Sequence, residues 1–351
     1  MKVTKRTALG LLAAGFTTTL LSAPGWAQSK YAGQTLTVAS FGGKVDETYR
    51  KAMAGFEEKF GVKIRWVPGT STQNAAKAVA SKSKPEFDVV MLDDVNLYGV
   101  SAMGDVLAPL NLEVMTNYND LRPQAQFPHK DGVPLGFNYT GIYYNEEEFA
   151  KRGWAAPTSW QDLYRPEFCN HLGLMHPTIS YTTNLLILLA NGDAAAVPEK
   201  IEELGKLKGC VPTLEPSSAK MEEKIQLGEY LVGVHGVVRV LPLKVAGYPV
   251  RFVVPKEGSA LSSTTAAVAK GGNEDLAQEF LNWLMSVEAQ TILMEETYYI
   301  PANSKVRPSQ ALLDLGMPDP DTLDAALDPD RTAIMQNRRE WSRRLERVLA
   351  N

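Results

Sequence analysis

Leu36-Thr37-Val38-Ala39-Ser40-Phe41-Gly42-Gly43 is the stretch that decides the fold class, because a short apolar run ends there in a polar, glycine-rich turn. Behind it Val45, Tyr49, Met53, Phe56 and Phe60 recur at helical spacing until Gly61. Side chains three and four residues apart share one helix face, so the segment reads as strand, turn, helix. The unit then repeats. Ile64-Arg65-Trp66-Val67 is a second strand, Pro68-Gly69 a turn, and Ser71 or Thr72 the cap of a helix that runs to Ala80. Phe87-Asp88-Val89-Val90-Met91-Leu92 is a third, fully buried strand that runs into Asp93-Asp94. Strands alternating with helices predict an α/β fold with a mostly parallel sheet covered on both faces. Ligands of such sheets sit beyond the carboxyl ends of the strands, which singles out three polar loops at residues 40–43, 70–73 and 93–96.

Working outward, residues 132–145 are strand-like and read as a first crossing between two lobes. A second set follows, with a strand at 171–175, helices at 182–190 and 199–208, and strands at 231–234 and 250–254. After Pro255-Lys256-Glu257-Gly258, residues 265–269 form a strand that recrosses to the first lobe. Asn273 is placed to cap the next helix, whose buried stripe is Leu276, Phe280, Leu284 and Val287. The tail carries Arg331, Arg338, Arg339, Arg343, Arg344 and Arg347 around a stripe of Ile334, Trp341, Leu345 and Val348. A basic amphipathic helix can lie on a membrane surface, but the reading preferred here is a terminal helix packed on the protein. The expected division is 1–27 as an export leader, 28–138 as the first part of lobe 1, 139–260 as lobe 2, and 261–351 as the rest of lobe 1 with C-terminal helices.

The leader rests on Lys2, Lys5 and Arg6, an apolar run over residues 8–21, and the small-residue boundary Gly25-Trp26-Ala27. The run is too short for a retained anchor, which needs about 20 apolar residues. Cleavage after Ala27 places the protein in the periplasm, with the general secretory route as the default because only one arginine of a twin-arginine pair is present. Loss of the basic leader deepens a net charge that is already −4, so no nucleic-acid partner is expected. That compartment permits disulfides, and a Cys169–Cys210 bridge would contribute about 4 kcal/mol; two unpaired thiols are the alternative.

Catalytic signatures are missing. The chain has no Gly-x-Gly-x-x-Gly, no phosphate loop and no Gly-x-Ser-x-Gly elbow. His129, His171, His176 and His235 lack the spacing of a metal hydrolase, and Tyr143 and Tyr144, adjacent in a strand, point to opposite faces and cannot share an iron ion. No enzyme activity, metal or cofactor is expected.

Several short patterns, in order, carry a family resemblance: residues 36–42, Ser71-Thr72-Gln73-Asn74, residues 87–94, Gly141-Ile142-Tyr143-Tyr144-Asn145, Pro157-Thr158-Ser159-Trp160, Val254-Pro255-Lys256-Glu257-Gly258 and Tyr299-Ile300-Pro301-Ala302-Asn303. Together they resemble the periplasmic solute-binding proteins of ABC importers, in the branch of the spermidine and putrescine receptors. The resemblance implies a type II-like pair of α/β lobes joined by two crossing strands, closing on a ligand. It also implies a monomer that delivers a small molecule to an inner-membrane ABC permease.

Two ligand classes stay open. For a polyamine, Asp93, Asp94 and the strand-end hydroxyls of Ser40, Ser71 and Thr72 would hold the polar ends. Phe41, Tyr139, Tyr181 and Tyr299 would wall the methylene chain, with Gly42 and Thr264 at neighbouring strand positions. Leu261-Ser262-Ser263-Thr264 stands where polyamine receptors carry a tryptophan and an aspartate. An amine with one carboxylate, such as an ω-amino acid, is therefore the second class. Arg239, among Val237, Val238, Val240 and Leu241, would clamp its carboxylate; pairing with an internal acid or lying on the surface is the other reading of that arginine.

Overall fold

The structure is a computed structural model that describes residues 29–177 and 179–349. The export leader expected over residues 1–27 lies outside the described residues. Three strands open the fold: β1 (Thr35–Ser40) pairs in parallel with β2 (Lys63–Pro68) on one side and β3 (Val89–Asp93) on the other. They are followed in turn by α1 (Gly43–Phe60), α2 (Ser71–Ala80) and α3 (Asp94–Ala102). Val89, Val90, Met91 and Leu92 are fully buried, as a strand covered on both faces requires. Tyr49, Met53 and Phe56 form the buried stripe of α1.

Thr70, rather than Ser71 or Thr72, caps α2. Its hydroxyl accepts the Gln73 N–H at 3.2 Å while the Gln73 side chain accepts the Thr70 N–H at 2.9 Å. The loops expected at 70–73 and 93–96 are thus the first turns of two helices.

The chain crosses once on β4 (Gly132–Asn145). The second half comprises α4 (Glu146–Arg152), β5 (Leu172–Met175), α5 (Ser180–Leu189), α6 (Val197–Leu204), β6 (Leu214–Glu215), α7 (Ser218–Gln226), β7 (Val232–Gly236), α8 (Val237–Val245) and β8 (Val250–Val253). Here β5 pairs in parallel with β6 and β7, while β7 and β8 lie antiparallel to residues 140–145 of β4. The return strand β9 (Leu261–Val268) starts earlier than residue 265 and lies antiparallel between β3 and residues 132–139 of β4. The result is one sheet in the order β2-β1-β3-β9-β4-β7-β5-β6, with β8 added on β4. Each half keeps a parallel set, and the strands at the crossing add the antiparallel pairs.

The C-terminal part is helical: α9 (Glu274–Leu284), α10 (Val287–Thr297), α11 (Gln310–Leu315) and α12 (Arg331–Leu349). Leu276, Phe280 and Leu284 are fully buried on α9, but Val287 opens α10 and is exposed. Asn273 makes no side-chain cap and donates instead to Gln34 at 2.7 Å. On α12 the stripe Ile334, Trp341 and Leu345 is buried against the protein, each side chain contributing about 1.5–3 kcal/mol. This helix packs on α3 in one half and on α6 in the other. Arg344 meets Glu202 at 2.8 Å and His176 meets Glu346 at 2.7 Å. Cys169 and Cys210 are bonded. No helix among the described residues is long and apolar enough to cross a membrane.

Candidate functional site

A cavity of about 300 Å³ lies where the two sheet halves meet. The first half contributes Asp93, Asp94 and Val95 at the start of α3, residues 261–264 of β9, Asn138 of β4, and Tyr299. Opposite stand Ile179, Ser180, Tyr181, Thr183 and Asn184 at the start of α5. A third wall is α12 and the turn before it, through Pro329, Arg331, Ile334 and Arg338.

Local hydrogen bonding sets each wall. Asp93 caps α3, accepting the Asn96 N–H at 2.8 Å, and the Asn96 amide bonds both Asp93 at 2.9 Å and the Ser71 hydroxyl at 2.8 Å. Ser71 also accepts the Asp93 N–H at 2.9 Å, so it positions Asp93 from behind. Across the cavity, the Asn138 amide donates to the Tyr181 hydroxyl at 3.0 Å and the Asn184 amide donates to Thr140 at 2.9 Å, fastening α5 to β4. Gly236 makes this approach feasible, because a Cβ there would fall 2.4 Å from the Tyr181 ring and 2.6 Å from the Asn138 amide. Thr264 and Tyr299 share a hydrogen bond of 2.8 Å.

The charges divide unevenly. Asp94 is buried and takes Arg331 Nε at 2.9 Å, with the two side chains 5% and 2% exposed. Arg331 also donates to Asp328 at 2.6 Å, and its guanidinium lies over the rings of Tyr98 and Phe127. Burial pushes the Asp94 carboxyl above its usual range, with Arg331 pulling against the shift. Asp94 and Arg331 thus neutralise each other. Two lining charges remain without an oppositely charged partner among the described residues, Asp93 and Arg338.

Of the nominated positions, Asp93, Asp94, Tyr181, Thr264 and Tyr299 line the cavity. Ser40 donates to Asp46 at 2.9 Å and the Gly42 N–H does so at 3.0 Å, so both secure the start of α1. Phe41 packs against the core, Tyr139 is buried with its hydroxyl 3.2 Å from Thr322, and Thr72 is exposed. Arg239 is in the first turn of α8, where the helix turns it out of the apolar surroundings suggested by its sequence neighbours. Its side chain is 48% exposed and lies 3.7 Å from Glu222, beside the phenols of Tyr181 and Tyr299. The chain reading missed Asn138, Ser180, Ser263, Arg331 and Arg338. A signal existed for the arginines: positions 331 and 338 share the 3-4 spacing of Ile334, Trp341 and Leu345, so both point inward.

Tyr143 is fully buried beside Met221 and Tyr144 packs on Phe149, as opposite strand faces require. Among the described residues no group of three or more His, Cys, Asp or Glu side chains could hold a metal ion.

Comparison with known proteins accounts for this arrangement. The profile of the family described as "Bacterial extracellular solute-binding protein" matches residues 51–315. A Salmonella typhi protein named "Putative 2-aminoethylphosphonate-binding periplasmic protein" is 25% identical over 302 residues, covering 83% of this chain and 84% of that one. The "Spermidine/putrescine-binding periplasmic protein" of Salmonella typhimurium is 24% identical over 265 residues, 72% of this chain and 74% of that one. A "putative extracellular solute-binding protein" of Bordetella parapertussis superposes with a TM-score of 0.77 at 25% identity, covering 90% of this chain and 99% of that one. An α/β fold in two halves and a family match over most of the chain place it in the bacterial extracellular solute-binding protein family, as the non-catalytic substrate-binding component of an ABC importer.

Proposed function

We propose that the solute delivered to the permease is a small zwitterion, an amine bearing one oxyanion. The observation that carries this reading is the charge of the cavity wall: once Asp94 and Arg331 are paired, one acid, Asp93, and one base, Arg338, are left. A ligand entering a desolvated space is favoured when its charges meet opposite charges there, and an amine with an oxyanion meets both. A polyamine, by contrast, would bring two cations to a single uncompensated carboxylate and face an arginine. The relative named for 2-aminoethylphosphonate supports the same class, since that molecule is an amine with one oxyanion group. Thr264, Tyr181 and Tyr299 supply hydroxyls and ring faces for the short chain between the poles.

A thermal-shift series with 2-aminoethylphosphonate, 4-aminobutyrate and putrescine tests the proposal, because a ligand that binds only the folded protein raises its Tm. At 100 times Kd the stabilisation is about 2.7 kcal/mol. A rise with either zwitterion and none with putrescine is expected. Stabilisation by putrescine alone refutes the reading.

A further inference from the structure

We infer that Arg338 on the C-terminal helix recognises the oxyanion end of the solute, which makes α12 a third ligand-binding wall beside the two sheet halves. The inference rests on the zwitterion reading and assigns its anionic pole to one residue.

Arg338 lies seven residues, or nearly two full turns, after Arg331, so the two guanidinium groups leave the same face of α12. The inward positions of this helix run 331, 334, 338, 341, 345. Ile334, Trp341 and Leu345 at three of them are buried in the protein, and Arg331 is committed to Asp94 and Asp328. Arg338 alone on that stripe is a half-buried charge that lines the cavity with no acid within 4 Å of it among the described residues. A cation held on an inward face without a counter-charge is costly unless an anion meets it. A guanidinium also matches a carboxylate or phosphonate with two parallel hydrogen bonds.

The helix is held at both ends. Arg331 ties its first turn to Asp94 of α3, while Arg344 and Glu346 tie its last turns to Glu202 and His176. The middle of the helix, where Arg338 sits, is thereby fixed over the junction of the halves. A planar donor fork works best when it is preorganised in this way. Arg239, the other arginine near the cavity, already has Glu222 at 3.7 Å and is not among the lining residues.

Isothermal titration of the intact secreted protein with 2-aminoethylphosphonate and with 4-aminobutyrate tests the assignment in four forms: wild type, Arg338→Gln, Arg338→Lys and Arg239→Gln. Removing a charge-assisted bond to the ligand predicts a loss of about 10- to 100-fold in affinity for Arg338→Gln. Arg338→Lys, which keeps the charge and loses the fork, should recover part of that loss. Arg239→Gln should stay within about threefold of wild type. Wild-type affinity in Arg338→Gln overturns the inference and leaves the zwitterion reading standing, and so does Arg338→Lys binding no better than Arg338→Gln. If wild type binds neither zwitterion, the zwitterion reading itself fails, and this assignment with it.

Discussion

Replacing Arg331 by Met isolates the buried pair on which the charge balance of the cavity depends. Arg331 and Asp94 are 2.9 Å apart with side chains 2% and 5% exposed, so water cannot take over as partner for whichever group remains. In Arg331→Met the Asp94 carboxylate keeps the Ser263 N–H at 3.2 Å but has no cation. Stranding a buried charge in this way costs about 3–5 kcal/mol. Methionine can still fill the space against Tyr98 and Phe127, so little of the loss comes from packing. Asp94→Asn leaves Arg331 with Asp328, which is half exposed, and costs about 1–3 kcal/mol. The double variant carries no stranded charge, and its cost should therefore fall below the sum of the two by about 1–3 kcal/mol. Urea unfolding of the four proteins at pH 7 supplies the cycle. The deficit of Arg331→Met should also shrink as pH is lowered, because a protonated Asp94 needs no partner. Costs that add to within about 0.5 kcal/mol, or a deficit independent of pH, would refute the pairing as a source of stability.

Two further outcomes follow from the second half of the sheet. His235 is fully buried against Tyr181, and burial together with Arg239 holds its pKa down to about 3 from 6.5. A depressed histidine pKa gives stability that is complete above pH 6.5 and is lost as pH falls toward 3, which amounts to about 2 kcal/mol between pH 7 and pH 5. His235→Gln lacks that loss, so melts at the two pH values should show wild type losing about 2 kcal/mol more than the variant between pH 7 and pH 5; an identical pH slope in both proteins would show that folding does not depress the histidine. The Cys169–Cys210 bond closes a separation of 41 residues; the double serine variant should unfold about 4 kcal/mol more easily in urea, and an unchanged midpoint would count against the bridge as a stabilising element.

The features legible in the chain were those set by neighbours in sequence. The apolar run at residues 36–39 and the spacing of Tyr49, Met53 and Phe56 yield β1 and α1, because side-chain direction in a strand or helix repeats over a few residues. The same local logic found the crossing strand over residues 132–145 and the packed C-terminal helix. It put the α2 cap at Ser71 or Thr72, one or two residues after Thr70, because several hydroxyls in succession can each cap, and the choice falls to Gln73 reaching back.

The proposed binding site belongs to the other category. Asp93 and Asp94 are adjacent and identical as letters, yet one is a helix cap open to the cavity and the other is neutralised by Arg331, 237 residues away. No local pattern contains that distinction, since it depends on where α12 docks across both halves. Sequence by itself determined the alternation of strands and helices, and with it the kind of protein this is. Only tertiary structure decided which charges are spent on the fold and which are left for a ligand, because Coulomb energy follows separation in space and burial rather than order along the chain.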